Sequence, residues 1–232
     1  MRVYKGLVEA YHEIERDVVE MGVIVKPESM QDKIVKGDEK FETKELIGYS
    51  YMVTSEHLFS DVYRFIGELK LDKNYIQQEL FERLTYPPVN PGESWKYRKE
   101  VWEEFIHNGK FSYTYSERIS PHLPHLKESL LKLPNSRQMI LPIYRPSDSC
   151  YWGGVARVPC SMYYQLLIRE EKLQLIYTMR SCDLYTHFAY DVVLARLFQM
   201  KMSEYINREP GHFIHFIGSL HIYKKDWNKG VF

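Results

Sequence analysis

Val3, Leu7, Ala10, Ile14 and Val18 recur at helical spacing with Glu and Arg between them, which predicts an amphipathic helix over residues 3–20. The pattern then breaks. Residues 24–45 are polar, with Lys and Glu throughout and Gly37-Asp38 as a turn, and predict a loop with short strands. Leu46 to Val53 carries the Ile, Tyr and Val content of a strand. Leu58 to Leu69 and Tyr75 to Leu84 predict helices, the second stopped ahead of Pro87-Pro88. Residues 86–100 hold further loop signals at Asn90 and Pro91-Gly92, and 123–133 predict another helix.

Met139 to Tyr144 predicts a buried strand interrupted by Pro142. Tyr163 to Ile168 and Leu173 to Met179, separated by Arg169-Glu170-Glu171-Lys172, predict a β-hairpin. A long helix follows over Phe188 to Ile206, and Phe213 to Tyr223 returns as a strand. The alternation predicts an α+β fold with a large mixed or antiparallel β-sheet flanked by helices. With neither a repeat nor a Gly/Ser/Pro-rich linker, the expectation is a single domain over residues 1–232.

Composition narrows the function classes. A net charge of zero argues against a protein held mainly to a phosphate backbone, so no nucleic-acid partner is expected. No apolar run approaches the roughly 18 residues of a membrane span, and the N-terminus lacks a secretory pattern. Cys150, Cys160 and Cys182 show no metal-binding spacing and no disulfide framework, which predicts a reducing, cytoplasmic setting. The 19 tyrosines offer apolar bulk with hydroxyls able to meet a polar ligand.

Candidate chemistry concentrates in the last third. Cys160 lies in Arg157-Val158-Pro159-Cys160-Ser161-Met162-Tyr163-Tyr164-Gln165. A thiol becomes a strong nucleophile when its pKa is lowered, and Arg157 and Arg180 are candidates for that task. Arg180-Ser181 pairs a guanidinium fork with a hydroxyl, a set that suits phosphate oxygens. His221 and Tyr223 are two apart on a predicted strand and share a face. Glu79 sits on a predicted helix, where a buried carboxylate could move protons. Asp191 opens the long helix, where a cap is the plain alternative.

In this order, Pro159-Cys160-x4-Gln165, Arg180-Ser181-x-Asp183, Asp191 and Gly218-x-x-His221-Ile222-Tyr223 resemble the thymidylate synthase superfamily, whose members alkylate C5 of a pyrimidine nucleotide. The resemblance implies a thymidylate synthase-like fold and a nucleophilic Cys160 that adds to C6. It implies phosphate ligands in Arg180 and Ser181, with Gln165 as part of the substrate frame. Asp183 would face the pterin of 5,10-methylenetetrahydrofolate, the implied co-substrate. His221 and Tyr223 would bind the sugar 3′-hydroxyl, and Glu79 would organise water and proton transfer. Tyr115 loosely matches a Tyr-Gly step near the nucleophile, with Ser116 in place of glycine. Asn135-Ser136-Arg137-Gln138 resembles a turn whose arginines reach a neighbouring subunit's phosphate site, so Arg137 implies a homodimer with shared sites; Gln138 replaces the second arginine.

Asp191 bears on the base. Members acting on uracil carry asparagine there, and those acting on cytosine carry aspartate, because a carboxylate accepts from N4 and, protonated, donates to N3. Ser161 stands where synthases have histidine, and the sequence ends at Phe232, soon after Tyr223, where synthases continue into a segment that closes over folate. Both lean toward water capturing the one-carbon unit. The expectation is therefore C5 hydroxymethylation of dCMP or CMP. The alternatives are C5 methylation of dCMP or dUMP, and a silent nucleotide-binding homologue.

Overall fold

The computed structural model describes residues 1–54, 58–151 and 156–229, without the side chains of Cys150 and Tyr151. A short strand β1 (Arg2–Tyr4) precedes helix α1 (Leu7–Met21), so the first helix begins later than its periodicity predicts. The reason is local: β1 pairs in parallel with β5 (Thr43–Val53), leaving Val3 exposed in a strand. Short strands β2 (Val23–Val25), β3 (Ser29–Met30) and β4 (Lys33–Ile34) fill the polar segment between.

Helices α2 (Leu58–Glu68) and α3 (Lys73–Leu84) follow, and Asp72 caps α3 by accepting from the Asn74 and Tyr75 N–H groups. The next stretch carries a one-turn helix α4 (Lys99–Trp102) and then α5 (Tyr115–Ile119), started by a Thr114–Glu117 capping box. Helix α6 (Leu123–Lys132) leads into β6 (Ile140–Pro142). Here the expected buried strand is only half realised. It is a three-residue strand at the sheet edge with Leu141 alone buried, where Pro142 costs no ladder bond.

β7 (Ser161–Arg169) and β8 (Lys172–Asp183) form the expected hairpin. A single wide π-helical turn, Leu184–Phe188, then enters α7 (Ala189–Ile206), and β9 (Glu209–Tyr223) closes the sheet. The strand order is β1-β5-β9-β8-β7-β6, with β2 pairing β5. β8 and β9 run parallel through the α7 crossover, and the β5–β9, β7–β8 and β6–β7 pairs are antiparallel. Residues from α1, α2, α6 and α7 share one buried cluster with Tyr51, Tyr177 and Phe213 of the sheet. The architecture is thus α+β, a large mixed sheet flanked by helices, as expected.

Candidate active site

The ends of β8 and β9 bring the motifs together. Ser181 lies beside Ser219 and Asp183 beside His221 in the parallel ladder, while Glu45 and Thr43 of β5 stand opposite His221 and Tyr223. Gly218 makes the approach possible: a Cβ there would sit 2.7 Å from the Arg180 carbonyl oxygen. All six of these polar side chains on β8 and β9, Arg180 included, line a cavity of about 380 Å³, together with Cys160 and Asp191. That volume is in the range of small-molecule sites. A larger groove of about 810 Å³ lies elsewhere, between α2 and the end of α7, and holds none of the residues singled out by sequence.

Cys160 stands just ahead of β7. The Arg180 N–H donates to the Cys160 carbonyl at 2.8 Å, and the Arg180 guanidinium donates to the Pro159 carbonyl at 2.9 Å and the Val158 carbonyl at 3.2 Å. The same guanidinium reaches Cys160 Sγ at 3.8 Å. Arg180 therefore shapes the loop that presents the thiol. Arg157 donates to the Tyr113 carbonyl at 3.0 Å and stacks over the Tyr113 ring at 4.2 Å. Sequence led us to expect a depressed thiol pKa; instead burial pushes it up, and Arg180, Arg157 and a hydrogen bond from Gln31 only partly oppose that. Next to the nucleophile, the Ser161 hydroxyl is buried between the Tyr177 and Tyr115 hydroxyls, the latter at 3.1 Å.

The two aspartates divide their tasks. Asp183 caps the wide turn, its Oδ1 accepting from the Tyr185 and Thr186 N–H groups at 3.1 and 3.3 Å. Asp191 lies in the first turn of α7 and makes no cap bond; its carboxylate faces the cavity. Burial raises its pKa to about 6, against the pull of Arg83 and Arg98. His221 and Tyr223 do share a face, with ring centroids 5.1 Å apart, and burial lowers the His221 pKa.

Three expected residues are not brought into the cavity. Glu79 holds Arg83 Nε at 2.7 Å and accepts from the Ser94 hydroxyl at 2.7 Å, and it is Arg83 that lines the cavity. Arg137 is exposed, its carbonyl accepts from the Gln165 side chain at 2.9 Å, and neither residue lines the cavity. Sequence reasoning in turn missed Gln31, Arg83, Arg98 and Trp102. Arg98 is 6% exposed, donates to the Thr186 carbonyl at 2.8 Å and packs 4.0 Å over the Tyr190 ring. Its Nη1, like the Trp102 indole N–H, is a buried donor without a partner. The Glu79–Arg83 pair at i,i+4 was the one legible signal among these.

Comparison with known proteins agrees with this arrangement. The sequence model of the thymidylate synthase family matches residues 93–230, more than half the chain. Thymidylate synthase of Rhodopseudomonas palustris (strain BisA53) is 32% identical over 102 residues, covering 44% of this chain and 33% of that protein. Thymidylate synthase of Mycoplasma genitalium is 25% identical over 155 residues, covering 60% of this chain and 53% of that protein. The chain thus spans about a third to a half of the length of these curated relatives. The solved structure of thermostable thymidylate synthase A from Bacillus subtilis superposes with a TM-score of 0.70 at 16% identity, over 95% of this chain and 81% of that one, a likeness of fold. By the family match, carried on the strands and loops that assemble the cavity, the chain belongs to the thymidylate synthase family.

Proposed function

We propose that this chain transfers a one-carbon unit to C5 of a pyrimidine nucleoside monophosphate, as a C5 methyltransferase of the thymidylate synthase type. The observation that carries the reading is Cys160 in the same cavity as Asp191, Ser181 and His221, within a chain whose relatives are named thymidylate synthase. The Cys160 sulfur adds to C6, the ring π pair moves toward C5, and C5 becomes the nucleophile. Ser181 and Arg180 are the candidate phosphate ligands, His221 and Tyr223 the candidate sugar ligands, and Asp191 the group at the base.

The lining fits a folate. Trp102 offers a flat ring and an unpartnered indole N–H, Arg98 an unpartnered guanidinium N–H, and Asp183 a carboxylate. Those three would hold 5,10-methylenetetrahydrofolate, which when bound supplies the carbon and, in methylation, the hydride that reduces it. Their task is to orient the ring and keep water away from the C5 carbon. Glu79, one residue removed from the cavity, would act by holding the Arg83 guanidinium in place, so that its part in ordering water and proton transfer is indirect. Arg137 and Gln165 would act only in a homodimer.

One observation favours a second reading. Asp191 would put a carboxylate, not an amide, beside the base, and near neutral pH an acid with a pKa of about 6 could both accept from a cytosine amino group and protonate N3. That supports dCMP or CMP as substrate, with water completing a hydroxymethyl product. Release of tritium from C5-labelled dUMP, UMP, dCMP and CMP with methylenetetrahydrofolate tests both readings, with products weighed by mass spectrometry. A methyl product is the expected result, and a hydroxymethyl product on a cytidylate establishes the second reading. Cys160→Ala abolishes release in either case. No release from any of the four by folded protein overturns both and leaves a silent nucleotide-binding homologue.

A further inference from the structure

Gln31 occupies the tight turn between β3 and β4, at a φ of 53° that residues other than glycine seldom adopt. The hairpin is tied down on both sides of it. Lys33 pairs with Glu104 and lies over the Phe105 ring, and Asp32 faces His107 at 3.7 Å. This anchoring aims the Gln31 side chain at the nucleophile loop. Its Oε1 accepts from the Val158 N–H at 3.2 Å, and its Nε2 donates to Cys160 Sγ at 3.6 Å. The first contact fixes which end of the amide meets the sulfur.

We propose that Gln31 is a catalytic residue, whose side-chain amide donates a hydrogen bond to the Cys160 sulfur and stabilises it as the thiolate. The inference rests on the reading of Cys160 as the nucleophile. When the sulfur lone pair forms the bond to a ring carbon, the ring π pair moves to the neighbouring carbon and the negative charge leaves sulfur. The Gln31 bond is then weakened. It is restored when the carbon–sulfur bond breaks and the electron pair returns to sulfur, so the same amide favours both the attacking thiolate and its final expulsion.

The surroundings make such a donor necessary. Groups facing the thiol include Arg180 and Cys182 on β8, Asp191 on α7, Arg157 in the preceding loop, Tyr113 and Tyr115, and Tyr223 on β9. Arg180 and Arg157 favour the thiolate, whereas Asp191 and burial oppose it. Arg180 divides its guanidinium between two backbone carbonyls and a longer 3.8 Å contact to the sulfur, whereas the Gln31 amide N–H gives its hydrogen bond to the sulfur at 3.6 Å.

The test is the pH dependence of Cys160 alkylation by iodoacetamide, read at that residue by peptide mass spectrometry, for the parent chain, Gln31→Met and Gln31→Glu. Gln31→Met removes the donor at nearly constant size. Gln31→Glu keeps an acceptor for the Val158 N–H while replacing the donor with a charge that disfavours the thiolate. Both are expected to raise the apparent pKa by about one unit, slowing alkylation roughly tenfold below it, with Glu the larger shift. Circular dichroism confirms the fold of each, and the position of Gln31 in a surface hairpin gives two chances of a folded variant. Profiles that superpose on the parent's for a folded variant overturn the proposal. Alkylation needs neither nucleotide nor folate. A shifted profile in a chain that turns over no pyrimidine nucleotide therefore keeps Gln31 and sinks the proposed function, and turnover with an unshifted profile does the reverse.

Discussion

Asp183 and Asp191 bracket one wide helical turn, and their environments set them apart. Asp183 is satisfied by two backbone N–H groups, whereas Asp191 faces the cavity with its pKa raised to about 6 by burial. A carboxyl whose folded pKa lies above its unfolded value of about 4 binds more protons folded than unfolded in that interval. Its contribution to stability therefore falls as pH rises from about 4 to about 6 and remains a constant cost above. Asp191→Asn removes the cost. The variant is expected to be more stable than the parent by about 1–3 kcal/mol at pH 8, discounted because the side chain is only half-buried, with the gain vanishing near pH 4. Urea melts at both pH values check this. A gain that does not depend on pH means that the carboxylate charge is not its cause. Combined with a fall in turnover, the result places Asp191 among the residues that trade stability for a site, as a half-buried acid facing a cavity does.

At the scale of elements, the β7–β8 hairpin shows how local chemistry can be legible and still suboptimal. Glu170 and Glu171 both take positive φ, 52° and 59°, in the two-residue turn, where Asn-Gly fits without strain. The Glu171–Arg208 ion pair is exposed and offsets little of this. Replacing Glu170-Glu171 by Asn-Gly is expected to raise stability by about 1 kcal/mol, measured by thermal melts, while leaving Cys160 alkylation unchanged. The hairpin, α3, α6 and β9 were readable because each has its own period and its own stop. The start of α1 was not, since Val3 fits the helical spacing but is captured by β5, a partner distant in sequence. The same distinction divides the site. Cys160, Arg180, Asp183, His221 and Tyr223 lie in short motifs on adjacent strands and could be named from the chain. Gln31 and Arg98 reach the cavity through contacts between separate elements, Glu82 holding the Glu93 and Ser94 N–H groups at 2.6 and 2.9 Å and so seating the segment that carries Arg98. No spacing records such contacts.

At the scale of the whole molecule, one face of the sheet is only half-buried among the described residues. In register across β5, β9, β8, β7 and β6 run Met52, Ile214, Ile176, Gln165 and Ile140, and beside them Ser50, Phe216, Thr178, Tyr163 and Pro142. Phe216 is 42% exposed and Ile140 48%, in strands whose opposite face is core. A sheet face that exposes large apolar side chains among polar ones is a candidate interaction surface. Arg137, exposed beside the β6 edge and joined to Gln165 through its carbonyl, supplies a reason for the occupant to be a second copy: it has no target in its own cavity. A twofold pairing of the faces would carry each Arg137 toward the partner's site. The chain is accordingly expected to sediment as a homodimer at micromolar concentration, and Phe216→Glu, which puts a charge in the middle of the face, to sediment as a monomer with its fold retained. Arg137→Ala and Cys160→Ala, each expected to be inactive alone, should recover up to about a quarter of parental activity when mixed in equal amounts, because random exchange makes about half the dimers hybrid and one of the two sites in each hybrid keeps both residues. A Phe216→Glu monomer as active as the parent shows that Arg137 is a surface arginine and that each chain carries a complete site.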